Sequence, residues 1–185
     1  MATTIDAPKA AASPSKAKPK RMTVFRGGEG LEVNRESMPF EGVDEGVMAG
    51  FAKLMACGLP PGTGEKTTIL FREPGDEGLS LSYAWFKSGY ILPRHSHNAD
   101  CVYYILAGEL NAGSAVLRKG DGIFVPAEQG YSFEAGPEGV ELLEFRNAPH
   151  FNILFKGNDE AHWDRIADVY HAKATVWPDE PAPGA

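Results

Sequence analysis

Gly89-Tyr90-Ile91-Leu92-Pro93-Arg94-His95-Ser96-His97 leads, after Asn98-Ala99-Asp100, into the apolar run Cys101-Val102-Tyr103-Tyr104-Ile105-Leu106, which Gly108 closes. Residues two apart on a strand point to the same face. His95 and His97 can therefore both reach one cation, at about 2.0–2.1 Å each for a zinc-like metal. The chain has only five histidines, so this pairing stands out. The plain alternative is a hydrogen-bonded pair at a strand end.

Strand texture spreads outward from this point. Thr67–Arg72 is β-rich and is punctuated by Pro74-Gly75-Asp76. Leu79, Leu81, Tyr83 and Trp85 alternate with Ser80, Ser82 and Ala84, the period of a half-buried strand. Ser114–Arg118 leads to the turn Lys119-Gly120-Asp121-Gly122 and a short strand at Ile123–Pro126. Tyr131–Ala135 and Val140–Arg146 flank Gly136-Pro137-Glu138-Gly139, which reads as a turn, and Phe151–Phe155 closes the set. Short strands at such spacing predict an all-β sandwich or barrel.

Two helices are expected outside the strands. Val47, Met48, Phe51, Leu54 and Met55 share one helical face between Asp44 and Cys57, and Gly58 stops it. They read as core contacts. Asp159–His171 places Trp163, Ile166, Ala167 and Tyr170 on one side, and Pro178 to Ala185 reads as a loose end. The expected organisation is a disordered tail at 1–21, an N-terminal extension with a helix at 22–65, a barrel at 66–157, and a C-terminal helix and tail at 158–185. Met22–Phe25 reads as a short strand.

Composition narrows the function classes. The net charge of −7 argues against general nucleic-acid binding and against an anionic membrane surface. There is no apolar stretch of about 20 residues and no signal-like apolar core, so the cytoplasm is the expected compartment. Cys57 and Cys101 are too few for a disulfide framework.

The spacing Gly89-x5-His95-x-His97-x3-Cys101-x6-Gly108 resembles the first motif of the cupins, and Gly120-x5-Pro126-x4-Tyr131 resembles the second. The resemblance covers about residues 66–147. It implies a cupin-type jelly-roll β-barrel with an N-terminal and a C-terminal helix, a homodimer, and a mouth holding a divalent transition metal and a small-molecule substrate. Cys101 stands where the family usually has a glutamate, Tyr131 where it has a third histidine, and Glu128 where a glycine is common.

Within that frame His95 and His97 are the expected metal ligands, with Cys101 as a soft third ligand favouring Fe, Cu or Zn. Asp100 is a candidate ligand or an orienting partner for an imidazole. Tyr131 and Tyr103 are the candidate catalytic residues, for acid/base work or for holding a developing oxyanion. Trp85 and Phe133 are candidate pocket walls, and Arg94 a candidate attractor for an anionic substrate. His150, His162 and His171 read as structural or surface residues. The resemblance implies a metal-dependent dioxygenase acting on a small aromatic or keto compound. A non-redox isomerase or lyase, and a ligand-binding barrel without turnover, are the alternatives.

Overall fold

The computed structural model describes residues 21–60, 62–157 and 159–185. The expected tail at 1–21 lies outside these residues apart from Arg21. The strands are β1 (Leu31–Glu32), β2 (Phe40–Glu41), β3 (Glu65–Arg72), β4 (Ser80–Phe86), β5 (His95–Ser96), β6 (Cys101–Ala112), β7 (Ala115–Arg118), β8 (Gly122–Val125), β9 (Glu134–Arg146) and β10 (Ile153–Phe155). The helices are α1 (Glu45–Ala56) and α2 (Glu160–Lys173). A seven-stranded sheet has the order β1-β3-β4-β9-β6-β7, with β8 also on β6, and a smaller sheet has the order β2-β10-β5. Pairing is antiparallel except between β2 and β10. This is the expected jelly-roll barrel with a helix near each end. No helix among the described residues is long and apolar enough to cross a membrane.

Each helix starts on a side-chain cap. Asp44 accepts from the Val47 amide and Asp159 from the His162 amide, each satisfying an amide that the first turn leaves open. The two helices meet at a single tight point. A Cβ on Gly50 would lie 2.1 Å from the Trp163 ring, so only glycine allows α1 this close. Phe51 packs edge-on to Trp163 and Phe155 and joins the pair to the barrel.

The structure departs from the sequence reading in four places. Met22–Phe25 forms no strand. Gly136–Gly139 does not reverse the chain, because β9 runs through it and bulges against β6, whose register shifts between Gly108 and Leu110. Gly108 and Gly139 both have positive φ, and a Cβ on Gly108 would lie 2.1 Å from the Gly139 carbonyl. On β4 the polar and small residues face inward: Ser80, Ser82 and Ala84 are buried, whereas Leu79 is exposed. The C-terminus is anchored. Trp177 is fully buried and donates to the Ser88 carbonyl, and Glu180 accepts from the Ser88 amide and hydroxyl.

Gly50→Ala is expected to destabilise the protein by about 1–3 kcal/mol through overpacking, despite alanine's better helix propensity. Thermal melting of the variant against wild type checks this. An unchanged or raised melting temperature would show that the α1–α2 contact is not tight.

Candidate functional site

β5 and the residue facing it set the site. His95 and Tyr131 exchange backbone hydrogen bonds of 3.0 and 2.9 Å, so their side chains emerge side by side. The Pro93 carbonyl lies 2.7 Å from His95 Nδ1 and can only accept, so Nδ1 carries the proton and Nε2 carries the lone pair. That lone pair accepts from the Tyr131 hydroxyl at 3.1 Å. His97 repeats the arrangement: Nδ1–H donates to the Asn152 carbonyl, and Nε2 accepts from Arg146 Nη2 at 3.3 Å. The two imidazole centroids are 4.8 Å apart. Tyr103, on β6, hydrogen-bonds the Tyr131 hydroxyl.

Arg146, near the end of β9, is 3% exposed. Its Nη1 donates to Glu144 at 2.5 Å, its guanidinium carbon stands 4.1 Å from the Phe151 ring centroid, and its Nε has no hydrogen-bond partner. Burial of uncharged imidazoles next to this cation lowers both histidines. His95 falls to about 4, mainly by burial, and His97 to about 2, by burial, then Arg146, then His95. Burial also raises both tyrosine hydroxyls above their usual range, so they remain donors at neutral pH.

Of these groups His95, His97, Tyr103, Glu144 and Arg146 line one end of a cavity of about 610 Å³, and Tyr131 is hydrogen-bonded to His95 and Tyr103. Its apolar walls include Met38, Phe40, Met48, Phe51, Leu54 and Phe155. Met48 and Met55, expected in the core, are more than half exposed and lie on the cavity wall. Glu65 also faces this cavity.

Four residues singled out in the sequence therefore converge: His95, His97, Tyr103 and Tyr131. Others are placed differently. Cys101 is buried on the expected face, but its thiol hydrogen-bonds Tyr103 and burial pushes it up to about 12. Among the described residues no group of three His, Cys, Asp or Glu side chains is placed to hold a metal ion. Asp100 uses both oxygens structurally, accepting from the Ala127 amide and the Asn147 side chain at 2.8 Å each. Trp85 does not line this cavity but borders an adjoining, more polar recess with Lys66 and Lys87, which shares Glu65 and Phe40 with it. Arg94 is exposed and off the cavity wall, since its neighbours Pro93 and His95 take the inward positions. Phe133 lies behind the cavity wall, packed at 4.7 Å on Tyr131 and 5.5 Å on Tyr103. Glu65, Glu144 and Arg146 were not legible as site residues. Alternation along Val140–Arg146 marks the strand but not which of its charged residues faces inward.

The donor set does not fit the divalent metal that the motif resemblance implies. Two imidazole lone pairs face the site in the right tautomer, with backbone carbonyls behind them, as a metal would need. However, a permanently charged guanidinium occupies one of them, the thiol is held protonated, and the Glu144 carboxylate is already paired with Arg146.

No family model and no curated protein matches the chain. Solved structures do. KdgF from Halomonas sp. is 18% identical with a TM-score of 0.43, over 50% of this chain and 84% of that one. An RmlC-like cupin from Shewanella frigidimarina is 27% identical with a TM-score of 0.40, over 49% of this chain and 80% of that one. The DMSP lyase DddQ from Ruegeria pomeroyi is 24% identical with a TM-score of 0.40, over 44% of this chain and 45% of that one.

Acid is expected to destabilise the fold. Between about pH 6.5 and 4 the unfolded chain protonates both histidines while the folded chain protonates neither, so stability falls as pH falls. Each histidine contributes a slope of about 1.4 kcal/mol per pH unit. Glu65, raised to about 7 by burial, contributes the opposite slope between about 4.5 and 7, and the two histidines outweigh it. Urea unfolding at pH 7, 6 and 5 checks this, and His95→Gln or His97→Gln should flatten the curve.

The two motif spacings and the mainly antiparallel strand order are those expected of a cupin-type barrel, here with Cys101 and Tyr131 at two of the four metal-motif positions.

Proposed function

We propose that this chain is a non-redox cupin enzyme of the isomerase or lyase type. It acts by proton transfer on a compact, largely apolar molecule bearing a carbonyl or carboxylate. The observation that carries this reading is the guanidinium of Arg146 against His97 Nε2, inside an apolar cavity sized for a small molecule. A fixed positive charge and two hydroxyl donors converge there, which suits an oxygen that becomes negative during reaction. The Arg146 Nε–H is a donor still to be satisfied. Tyr131 and Tyr103 hold their protons, which are donated to His95 Nε2 and to the Tyr131 oxygen, and the hydroxyls turn to the substrate oxygen only when it binds.

The two histidines serve as orienting acceptors in this scheme. Their lone pairs are engaged and their basicity is lowered, so neither suits the role of base at neutral pH.

A second reading, a metal-dependent dioxygenase on an aromatic or keto compound, draws on the two inward-facing lone pairs 4.8 Å apart by ring centroid. It requires Arg146 to leave His97. Phenylpyruvate, an aromatic keto acid, serves as the probe in calorimetric titration. Chelator-treated protein is expected to bind it, and Arg146→Gln to weaken binding at least tenfold, the scale of a hydrogen bond to a charged group. The double variant Glu144→Gln/Arg146→Gln gives the same readout if the single variant leaves Glu144 buried without its partner and fails to fold. Near-stoichiometric iron or copper in protein purified without added metal, lost in His95→Ala and His97→Ala, would overturn the non-redox reading in favour of the oxygenase.

A further inference from the structure

We infer that Glu65 is the proton-transferring base of the cavity, placed on the β3 wall to work on a substrate whose oxygen lies against Arg146 and the two tyrosines. This rests on the non-redox reading above and supplies the group that reading lacks. Glu65 faces the same cavity as His95, Tyr103, Glu144 and Arg146. It opens β3 opposite Phe86 and shares the cavity wall with Tyr90 and Tyr170, whose ring centroids are 6.3 Å apart.

The position is tightly built. Tyr90 stacks on Phe86 at 5.4 Å and tilts against Trp177 at 6.1 Å. A Cβ on Gly64 would lie 2.5 Å from the Tyr90 ring and 2.8 Å from Trp177, so the chain entering Glu65 has one narrow course. The Gly64 carbonyl accepts from the Lys87 amide at 2.9 Å. A carboxyl held this way keeps its direction without needing a substrate to order it.

Its surroundings suit proton transfer. Burial and the nearby Glu144 carboxylate raise Glu65 to about 7, against the lowering effect of the Tyr90 hydrogen bond. Both protonation forms are then present at neutral pH, the condition for an efficient general base. The other titratable and charged groups around it are Tyr90 and Tyr170, both raised and hence protonated, the Glu144–Arg146 pair and Arg35 on the cavity wall, and Glu32, Lys66 and Lys87 of the adjoining recess that Glu65 also borders.

The step balances without a co-reactant. Glu65 carboxylate takes a proton from the carbon beside the substrate carbonyl. The C–H electron pair becomes the new C=C bond, and the C=O π pair moves onto oxygen, where Arg146 and the tyrosine hydroxyls hold the charge. Protonated Glu65 then returns the proton to carbon, and the carbonyl re-forms.

Exchange of the phenylpyruvate C3 hydrogens in D2O, followed by proton NMR, tests this. Wild type is expected to exchange them faster than buffer alone, with a rate that rises through about neutral pH. Glu65→Gln should slow exchange at least a hundredfold while leaving phenylpyruvate binding intact. Glu65→Asp should retain part of the rate with a shifted pH midpoint, and it decides the matter if the glutamine variant does not fold. Unchanged exchange in Glu65→Gln, or an unchanged rate and midpoint in Glu65→Asp, together with slowed exchange in Tyr131→Phe, overturns the role of Glu65 and leaves the non-redox reading standing. A wild-type rate no greater than buffer, with phenylpyruvate and with 2-oxobutanoate, overturns both.

Discussion

A buried guanidinium organises the polar end of this barrel. Arg146 is removed from water, and a charge so placed is tolerated only where partners replace its hydration. Glu144 supplies the counter-charge, His97 accepts a hydrogen bond, and the face of Phe151 covers the remaining surface. The rest of the site follows from that charge. His97 must present a lone pair to it and stays neutral. His95, 4.8 Å away by ring centroid, is buried beside the same charge and stays neutral too. The hydroxyls of Tyr131 and Tyr103 are left as donors.

The two ends of the cavity are built by different kinds of structure. The polar end hangs on strand backbone, where the reciprocal His95–Tyr131 hydrogen bonds and the Phe133 ring behind both tyrosines fix each group in direction. The apolar end is faced by α1, through Met48, Phe51, Leu54 and Met55. Methionine is unbranched and adapts to irregular shapes. A polar end fixed by strand backbone thus faces a wall whose methionines can adapt in shape. α1 is itself placed by the Gly50–Trp163 contact, while the Lys53 ion pairs with Glu160 and Asp164 lie at the surface and contribute little.

How much of this the chain discloses depends on the range of the interaction. Local signals read well. The helix capped by Asp44 runs over Glu45–Ala56, close to the span its apolar spacing predicts, and the His95–His97 pair shares one site as strand parity requires. Glu128 has a φ of +64°, the left-handed region, at the position where the motif commonly carries glycine. Long-range signals read poorly. Alternation on β4 does not tell which side is buried: Ser80, Ser82 and Ala84 are fully buried, Ser80 donating to the Ala148 carbonyl, and Leu81 is buried as well. Pro137 and the glycines around it mark a chain irregularity that is equally consistent with a turn or a bulge, and pairing with β6 decides for the bulge. Arg146 meets His97 from 49 positions away, and no local pattern announces it.

The altered motif positions make sense as one change in charge balance. A metal-holding barrel needs anionic side chains near its imidazoles to offset a divalent cation. In this chain the usual glutamate position holds a thiol kept neutral by burial, and the usual third histidine position holds a phenol kept neutral the same way. The remaining charges, Glu144 and Arg146, cancel each other. Among the described residues no unpaired anion is left beside the imidazoles to balance a divalent cation, and the cavity's other carboxyl, Glu65, lies on the β3 wall. The same neutrality leaves a site able to gain one negative charge, because Arg146 keeps an unpaired Nε–H and the hydroxyls can still turn toward a new acceptor. Under the proposed function, a substrate oxygen acquiring electrons is the species that would complete such a balance.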